Sequence, residues 1–344
     1  MNYLIPFIIL ITVVVFIHEY GHYYIAKKYG VGVTDFSIGF GKEIIGWNDK
    51  SGTRWKICWI PLGGYVKFFG DRNVFSQSEQ AEVLKKYNKE DQKKLFILKP
   101  LYQRSLIVAA GPIANFVLAV LIFIFIYMFV GKDMTPAIVN EVQKDSPAYI
   151  SGMKKNDKII SIDNKKVNSI LEVSTFISTS TSERIEFSIL RNDQELIFYI
   201  KPDLVESEDQ FGNKIKKRMI GIKLAPLNNE FNNVKLGPTK AIFYSIKEVW
   251  FVSTTYLKYI GSMITGSGDS SQLGGPIRIA KITGQVAEYG IIPFLSVMAY
   301  ISISLGLINL FPIPMLDGGH LMFYFFEKLL GRPLQQKTQE GFFR

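Results

Sequence analysis

The stretch FIHEYGHYYIAKKYG, residues 16–30, decides how the rest of the chain is read. It closes an apolar run that begins at Leu4 and continues to Ala26, where Lys27 and Lys28 end it. A run of roughly 20 residues is what a helix needs to cross a bilayer. His18, Glu19 and His22 therefore fall inside a membrane span, where ionisable groups are costly and mark function. On a helix, His18 and His22 stand one turn apart and point the same way. Two imidazole nitrogens from one face are half of a tetrahedral zinc site, and the intervening Glu19 is placed to act on a water at the metal. The chain has only 3 histidines, and two of them are here. A chance match at a helix end is the bland alternative; three ionisable groups within one span weigh against it.

The bulk properties agree with a membrane protein. The chain has 344 residues, 48% hydrophobic, with a positive mean hydropathy. The formal net charge is +10. The basic residues form no stripe or basic helix, so the excess fits a surface facing anionic lipid better than one facing nucleic acid. A single cysteine, Cys58, excludes a disulfide scaffold. No Lys or Arg precedes the first apolar run and no small-residue cleavage site follows it, so it does not read as a cleavable signal peptide.

Three spans are expected. Residues 1–26 form the first, with the HEYGH motif. Residues 105–131 form the second, its first half rich in small residues (Ala109, Ala110, Gly111, Ala114) that let helices pack closely in lipid. Residues 292–320 form the third, with Pro312 and Pro314 breaking its far end. Residues 204–291 read as a linker and an amphipathic interfacial region, in which residues 239–264 are aromatic-rich but carry Lys240, Lys247, Glu248 and Lys258. A fourth span there is the lesser option. Lys27, Lys28, Lys99 and Arg104 flank the loop of residues 27–104 and place it in the cytoplasm by the positive-inside rule. Cys58 then faces the cytoplasm, on or near the membrane, open to thiol reagents once the membrane is permeabilised.

Residues 132–238 fall outside the cytoplasm on this topology, and their charges nearly balance. AIVNEV, KIISID, RIEFSIL and ELIFYI read as short strands. Tight turns are expected at Asn156–Asp157 and Asp163–Asn164, with a short helix after Pro147. Residues 135–203 resemble a bacterial PDZ domain, with Asn156 where a glycine is usual. A PDZ groove binds peptides by strand addition. Any small β-rich domain is the alternative.

The third histidine, His320, lies in NLFPIPMLDGGH, residues 309–320, which also supplies Asp317. A catalytic zinc needs three protein ligands and an open position, and Asp317 would complete the set. His320 is a rival ligand, preferred here as a supporting or packing residue. Asn309 lies two turns before Asp317. Its amide could hold a substrate carbonyl or its oxyanion, or serve as an interhelical hydrogen bond. In GGYVKFF, Gly63 and Gly64 suit a tight turn, and the β-favouring residues after them suit an edge strand that could capture an unwound substrate. An interfacial hairpin anchored by aromatics is the plainer reading.

HEYGH in a first span, AAGPIAN opening a second, a PDZ-like insert, and NLFPIPMLDGG in a third together resemble the site-2 protease family of intramembrane zinc metalloproteases, in its bacterial regulator of sigma-E branch. The resemblance runs nearly the whole length. It implies a polytopic α-helical membrane protein with a membrane-associated β-loop and an inserted extracytoplasmic PDZ-like α+β domain. The implied activity is a Zn2+-dependent metalloendopeptidase that cleaves single-span proteins within or near the bacterial inner membrane, such as anti-sigma factors or signal-peptide remnants. The implied roles are zinc ligation by His18, His22 and Asp317, general-base catalysis by Glu19, and substrate contact by Asn309 and by the β-loop residues Gly64, Tyr65, Val66, Lys67 and Phe68. The active site would face the cytoplasm. The implied partners are transmembrane substrates, the bilayer and peptide ligands at the PDZ-like domain, with no nucleic acid. Two departures stand out. That branch often carries two tandem PDZ domains, and it usually has a fourth span where residues 321–344 read here as a cytoplasmic tail, the sequence stopping about where that helix would begin. A catalytically inactive, membrane-tethered PDZ scaffold is the competing function, and a transporter a weaker one; retention of Glu19 and the expected ligands argues against the first, and the absence of an internal repeat against the second.

Overall fold

A computed structural model describes residues 3–70, 87–180, 182–208, 214–226, 231–265 and 275–331. The elements run α1 (Leu4–Lys28), β1 (Val33–Asn48), β2 (Arg54–Phe68), α2 (Lys89–Gln92), α3 (Leu101–Phe129), β3 (Lys132–Asp133) and β4 (Val139–Val142). There follow α4 (Pro147–Ile150), β5 (Lys158–Ile162), β6 (Lys165–Lys166), α5 (Ile170–Thr179), β7 (Ile185–Arg191) and β8 (Gln194–Ile200). The remainder is β9 (Asp203–Glu208), β10 (Lys214–Met219), β11 (Ile222–Leu224), β12 (Asn233–Val234), α6 (Pro238–Ile264), α7 (Pro276–Glu288), α8 (Ile291–Leu310) and α9 (Asp317–Leu330). The chain divides into two compact units, Met1–Phe123 with Gly275–Arg344, and Ile124–Gly274.

In the first unit α1, α3 and α8 are long and apolar enough to cross a membrane; among the described residues no other helix is. The third expected span, residues 292–320, is instead two helices. α8 stops at Leu310, and Pro312 and Pro314 hold an irregular turn before α9 starts at Asp317. Part of the expected tail is therefore helical to Leu330, and residues 332–344 lie outside the described residues. Arg104 on α3 and Glu327 on α9 form a buried ion pair at 2.9 Å, with the Arg104 guanidinium 4.9 Å from the centre of the Tyr324 ring. Both side chains are less than a tenth exposed, so removal of either one would strand a charge.

The loop after α1 folds into a sheet with more runs than the expected β-loop. β1 pairs with β2 twice over: Ser37 lies opposite both Lys56 and Tyr65, and Trp47 lies opposite Trp55. Four runs thus lie side by side, in the order 43–48, 54–58, 33–38 and 64–68. Gly63 and Gly64 form no turn, contrary to expectation. They sit inside β2, where Gly63 (φ 137°) leaves room for the Phe40 ring. Ile44, Ile45, Trp47, Trp59, Ile60 and Leu62 are exposed on this sheet. Cys58 is not: it is 3% exposed, with its Sγ 3.3 Å from Ser37 Oγ.

Asp49, in the turn between β1 and β2, ties the sheet to α1. One carboxylate oxygen accepts from the Ser51 and Thr53 backbone and the Ser51 hydroxyl; the other accepts from Tyr23 of α1 and from the Trp55 indole. Partial burial pushes this carboxyl up, but the donors, Ser51 foremost, together hold it well below the usual carboxylate range.

The second unit is an α+β domain built on an antiparallel sheet of order β6-β5-β7-β8. Along β7, Ile185, Phe187 and Ile189 alternate inward and join Ile159, Ile162 and Ile200 in the core. Each such buried side chain contributes about 1.5–3 kcal/mol. The turns are as expected: Asn156 (φ 71°) is left-handed, as are Asp163 and Asn164 in the tight hairpin from β5 to β6. Asn192 and Asp193 make a further turn of this kind from β7 to β8. Asp157 is fully buried and holds Arg191 through two parallel bonds at 2.7 and 2.8 Å. The unit extends past residue 203. β11 pairs with β4, and Ile220 lies in the same core, so residues 220–224 belong to the domain and not to a linker. α6 is one continuous helix, anchored by Phe251 against Phe176 and by Glu248 to Lys132 at 2.9 Å.

Candidate metal and catalytic site

The site forms where α1 passes α3 and the start of α9. His18 and His22 project from one face of α1, with their Nε2 atoms 3.3 Å apart. Asp317 Oδ2 lies 3.1 Å from His18 Nε2 and 3.5 Å from His22 Nε2. All three side chains are largely buried. Zinc with nitrogen and oxygen ligands at about 2.0–2.1 Å sets neighbouring corners of its tetrahedron about 3.3 Å apart. The three observed edges bracket that value, so the residues present fit the metal. His320, three residues along α9 from Asp317, is outside this cluster.

Local packing explains the convergence. A Cβ on Gly111 would sit 2.2 Å from His22 Nε2, so only glycine on α3 leaves room for that imidazole. One turn earlier on α3, the Ile107 carbonyl accepts from His22 Nδ1 at 2.9 Å, which leaves Nε2 to face Asp317. One turn later, Asn115 Nδ2 lies 3.2 Å from His18 Nδ1. Asp317 is set in place by the preceding turn. Leu310 and Phe311 pack so closely on Gly318 that a Cβ there would come within 2.2 Å of the Phe311 carbonyl oxygen. The carboxylate also lies in the first turn of α9, where the helix dipole favours it.

Glu19 lies between the histidines, against β2. Its carboxylate accepts a hydrogen bond from the Val66 backbone N–H, and its Cγ lies 3.3 Å from where a Gly64 Cβ would be. The Phe69 N–H is directed to the Gly32 carbonyl, away from this edge. Alternation then turns the backbone groups of Gly64, Val66 and Phe68 outward, and those of Tyr65 and Lys67 toward β1. Among the described residues no strand pairs with that outer edge. Of the five β-loop residues singled out from sequence, Gly64 and Val66 therefore meet the site, Tyr65 and Lys67 pair with Ser37 and Asp35, and Phe68 stacks on Phe96. Asn309 is in the last turn of α8, at the entry to the segment that carries Asp317. Sequence reasoning assigned no role to Ile107 or Asn115. The Ile107 carbonyl has no sequence signature; the Gly111–Asn115 spacing does match His22–His18, but it acquires meaning only once α3 lies against α1.

A His-Glu-His helix joined by an aspartate from a distant helix, in a unit with three membrane-capable helices, is the arrangement of a membrane-embedded metallopeptidase. Peptidase family M50 matches residues 6–344, and the chain belongs to that family. It is a zinc metalloendopeptidase of the site-2 protease type. A protein from Agrobacterium fabrum, named as a candidate zinc metalloprotease, is 41% identical over 343 residues, covering 100% of this chain and 91% of the relative. One of similar name from Mesorhizobium japonicum is 38% identical, over 99% of this chain and 93% of its own length. Metalloprotease MmpA from Caulobacter vibrioides is 33% identical, over 99% of this chain and 90% of its own. Among solved structures, the PDZ domain of the SdrC-like protein of Listeria monocytogenes aligns with 26% of this chain and 85% of its own at 24% identity; the TM-score of 0.21 is too low to carry an argument.

Proposed function

We propose that this chain cleaves single-span membrane proteins within or near the bacterial inner membrane, with His18, His22 and Asp317 as the zinc ligands and Glu19 as the general base. The observation that carries the reading is the meeting of three things at Glu19: the ligand cluster, the base, and the free edge of β2. Zinc, when bound, supplies a Lewis acid that polarises the scissile carbonyl and makes water acidic enough to be deprotonated near neutral pH. Glu19 takes that proton and delivers it to the leaving amine. The outward backbone groups of Gly64 and Phe68, with the Val66 carbonyl, hold the substrate as an added strand, because a helix unwound in lipid needs new partners for its peptide groups; the Val66 N–H stays with Glu19. The Asn309 amide donates to the scissile carbonyl as charge develops on it. The active site faces the cytoplasm, and the second unit, PDZ-like in function, meets peptides on the outer side. The exposed apolar residues of the β-sheet dip into the bilayer surface.

The test is Glu19→Gln in purified protein with a model single-span substrate. Cleavage should fall by about 10²–10⁴-fold, the range for a lost general base, while zinc content stays at the unaltered level. Near-full activity would remove Glu19 from the mechanism.

A further inference from the structure

Asn115 is buried without any exposed surface, on the face of α3 that meets α1. Its Nδ2 lies 3.2 Å from His18 Nδ1, and its Oδ1 is inaccessible to solvent and has no hydrogen-bond partner. α8 closes the other side: Ser302 Oγ donates to the Asn115 backbone carbonyl at 2.9 Å, and Gly306 packs against the Asn115 Cβ. Such a buried amide has strong reason to be satisfied, and an orphaned acceptor there is costly.

The orientation of this amide is coupled to the tautomer of His18. When Nε2 carries the proton and donates to Asp317, Nδ1 is an acceptor, and the Asn115 NH2 suits it. When Nε2 is a metal ligand, the neutral ring carries its proton on Nδ1. That N–H would then face an NH2, donor against donor, while Oδ1 stays unpaired. Rotating the amide by half a turn exchanges its oxygen and nitrogen within the same volume. Nδ1–H then donates to Oδ1, and the conflict disappears.

We infer that Asn115 is a positioning residue for His18, presenting its amide oxygen to Nδ1–H and so holding Nε2 as the ligand atom. The inference rests on the reading of His18 as a zinc ligand. Asn115 thereby does for His18 what the Ile107 carbonyl does for His22. The two imidazoles are set by two acceptors two turns apart on α3, with Gly111 midway between them. The role is specific: an acceptor is required, and shape alone is not enough. A carboxylate at position 115 would serve, and an apolar side chain of the same size would not.

Chelator competition on full-length, zinc-loaded protein in detergent tests this through Asn115→Asp and Asn115→Leu. Loss of an acceptor behind a ligating histidine weakens metal binding by about 10–100-fold. Asn115→Leu should weaken zinc by that factor, and Asn115→Asp should hold it at least as tightly as the unaltered protein. Leu equal to Asn, with Asp the weakest, would show a packing role and overturn the inference. His18→Ala separates this from the parent reading: unchanged zinc there removes His18 from the ligand set, whereas lost zinc there with unchanged zinc in Asn115→Leu overturns only the role of Asn115. Should the leucine variant fail to fold, 15N-histidine spectra of the unaltered protein decide. A zinc-bound ring with an exchange-protected Nδ1 proton supports the inference; zinc at Nδ1 of that ring overturns it.

Discussion

At the scale of single residues, the site depends on atoms that a conservative substitution would displace. Asp317 Oδ2 is shared between two imidazoles at 3.1 and 3.5 Å, so on the proposed reading it closes the ligand set from a distant part of the chain. Asp317→Ala should therefore lose metal and activity together. Its zinc affinity should fall by more than the roughly 100-fold expected of a supporting residue. Dialysis against a chelator followed by metal analysis is the measurement. Full zinc stoichiometry in that variant would place the third ligand elsewhere, with His320 on the same helix next in line. Gly111 is equally constrained for a steric reason: alanine there would take the space of His22 Nε2.

At the scale of elements, two features of the β-sheet carry predictions. The outer edge of residues 64–68 should pair with substrate as a strand. Val66→Cys keeps the backbone donor to Glu19, unlike a proline there, which would remove it. In a protein with Cys58→Ser, this cysteine should cross-link to substrates carrying single cysteines near the scissile bond, with yields alternating every second substrate position. A helical periodicity, or none, would sink strand capture. The second feature is the Asp49 turn. Its folded carboxyl lies below its unfolded value, so its stabilisation is complete above about pH 4 and is lost as the pH falls further. Asp49→Asn should lower stability at pH 7 by about 1–2 kcal/mol, and the gap to the unaltered protein should narrow below about pH 4. Thermal unfolding at several pH values reads this directly, and a gap that widens on acidification would contradict the assignment. Because Asp49 also binds Tyr23, the turn holds β1 and β2 against the helix that carries the histidines.

At the scale of the whole molecule, the proposed chemistry lies in one unit, and selection of substrates is proposed for the other. All candidate ligands and the base lie in the first unit, and among the described residues the second holds no comparable ligand cluster. Removal of residues 135–224, joined by a short linker, should preserve or raise cleavage of short substrates and admit substrates with bulky outer domains. A monodisperse, zinc-replete deletion that cleaves nothing would refute the filtering role. The boundary matters: a cut at residue 203 would leave β11 and Ile220 without the strands they pack against.

The sequence by itself determined the family and the three membrane-capable segments. HEYGH within an apolar run, LDGG after a proline-broken span, and small residues opening another are local patterns, and local patterns survive without knowledge of the fold. His18 and His22 share a face because of helical geometry alone, and Asn156 and Asp163–Asn164 are left-handed because of their own backbone preferences. What the tertiary structure decided was everything that depends on a neighbour far along the chain. Gly63 and Gly64 read as a turn because glycines usually make one, but the double pairing of β1 with β2 drew them into a strand. Asp317 begins a new helix where the sequence suggested the end of an old one, because the turn after α8 packs back on Gly318. The partners of the two histidines, Ile107 and Asn115, emerge only when α1 and α3 lie side by side, since one is a backbone carbonyl without a sequence signature and the other an asparagine whose meaning is set by the ring it faces.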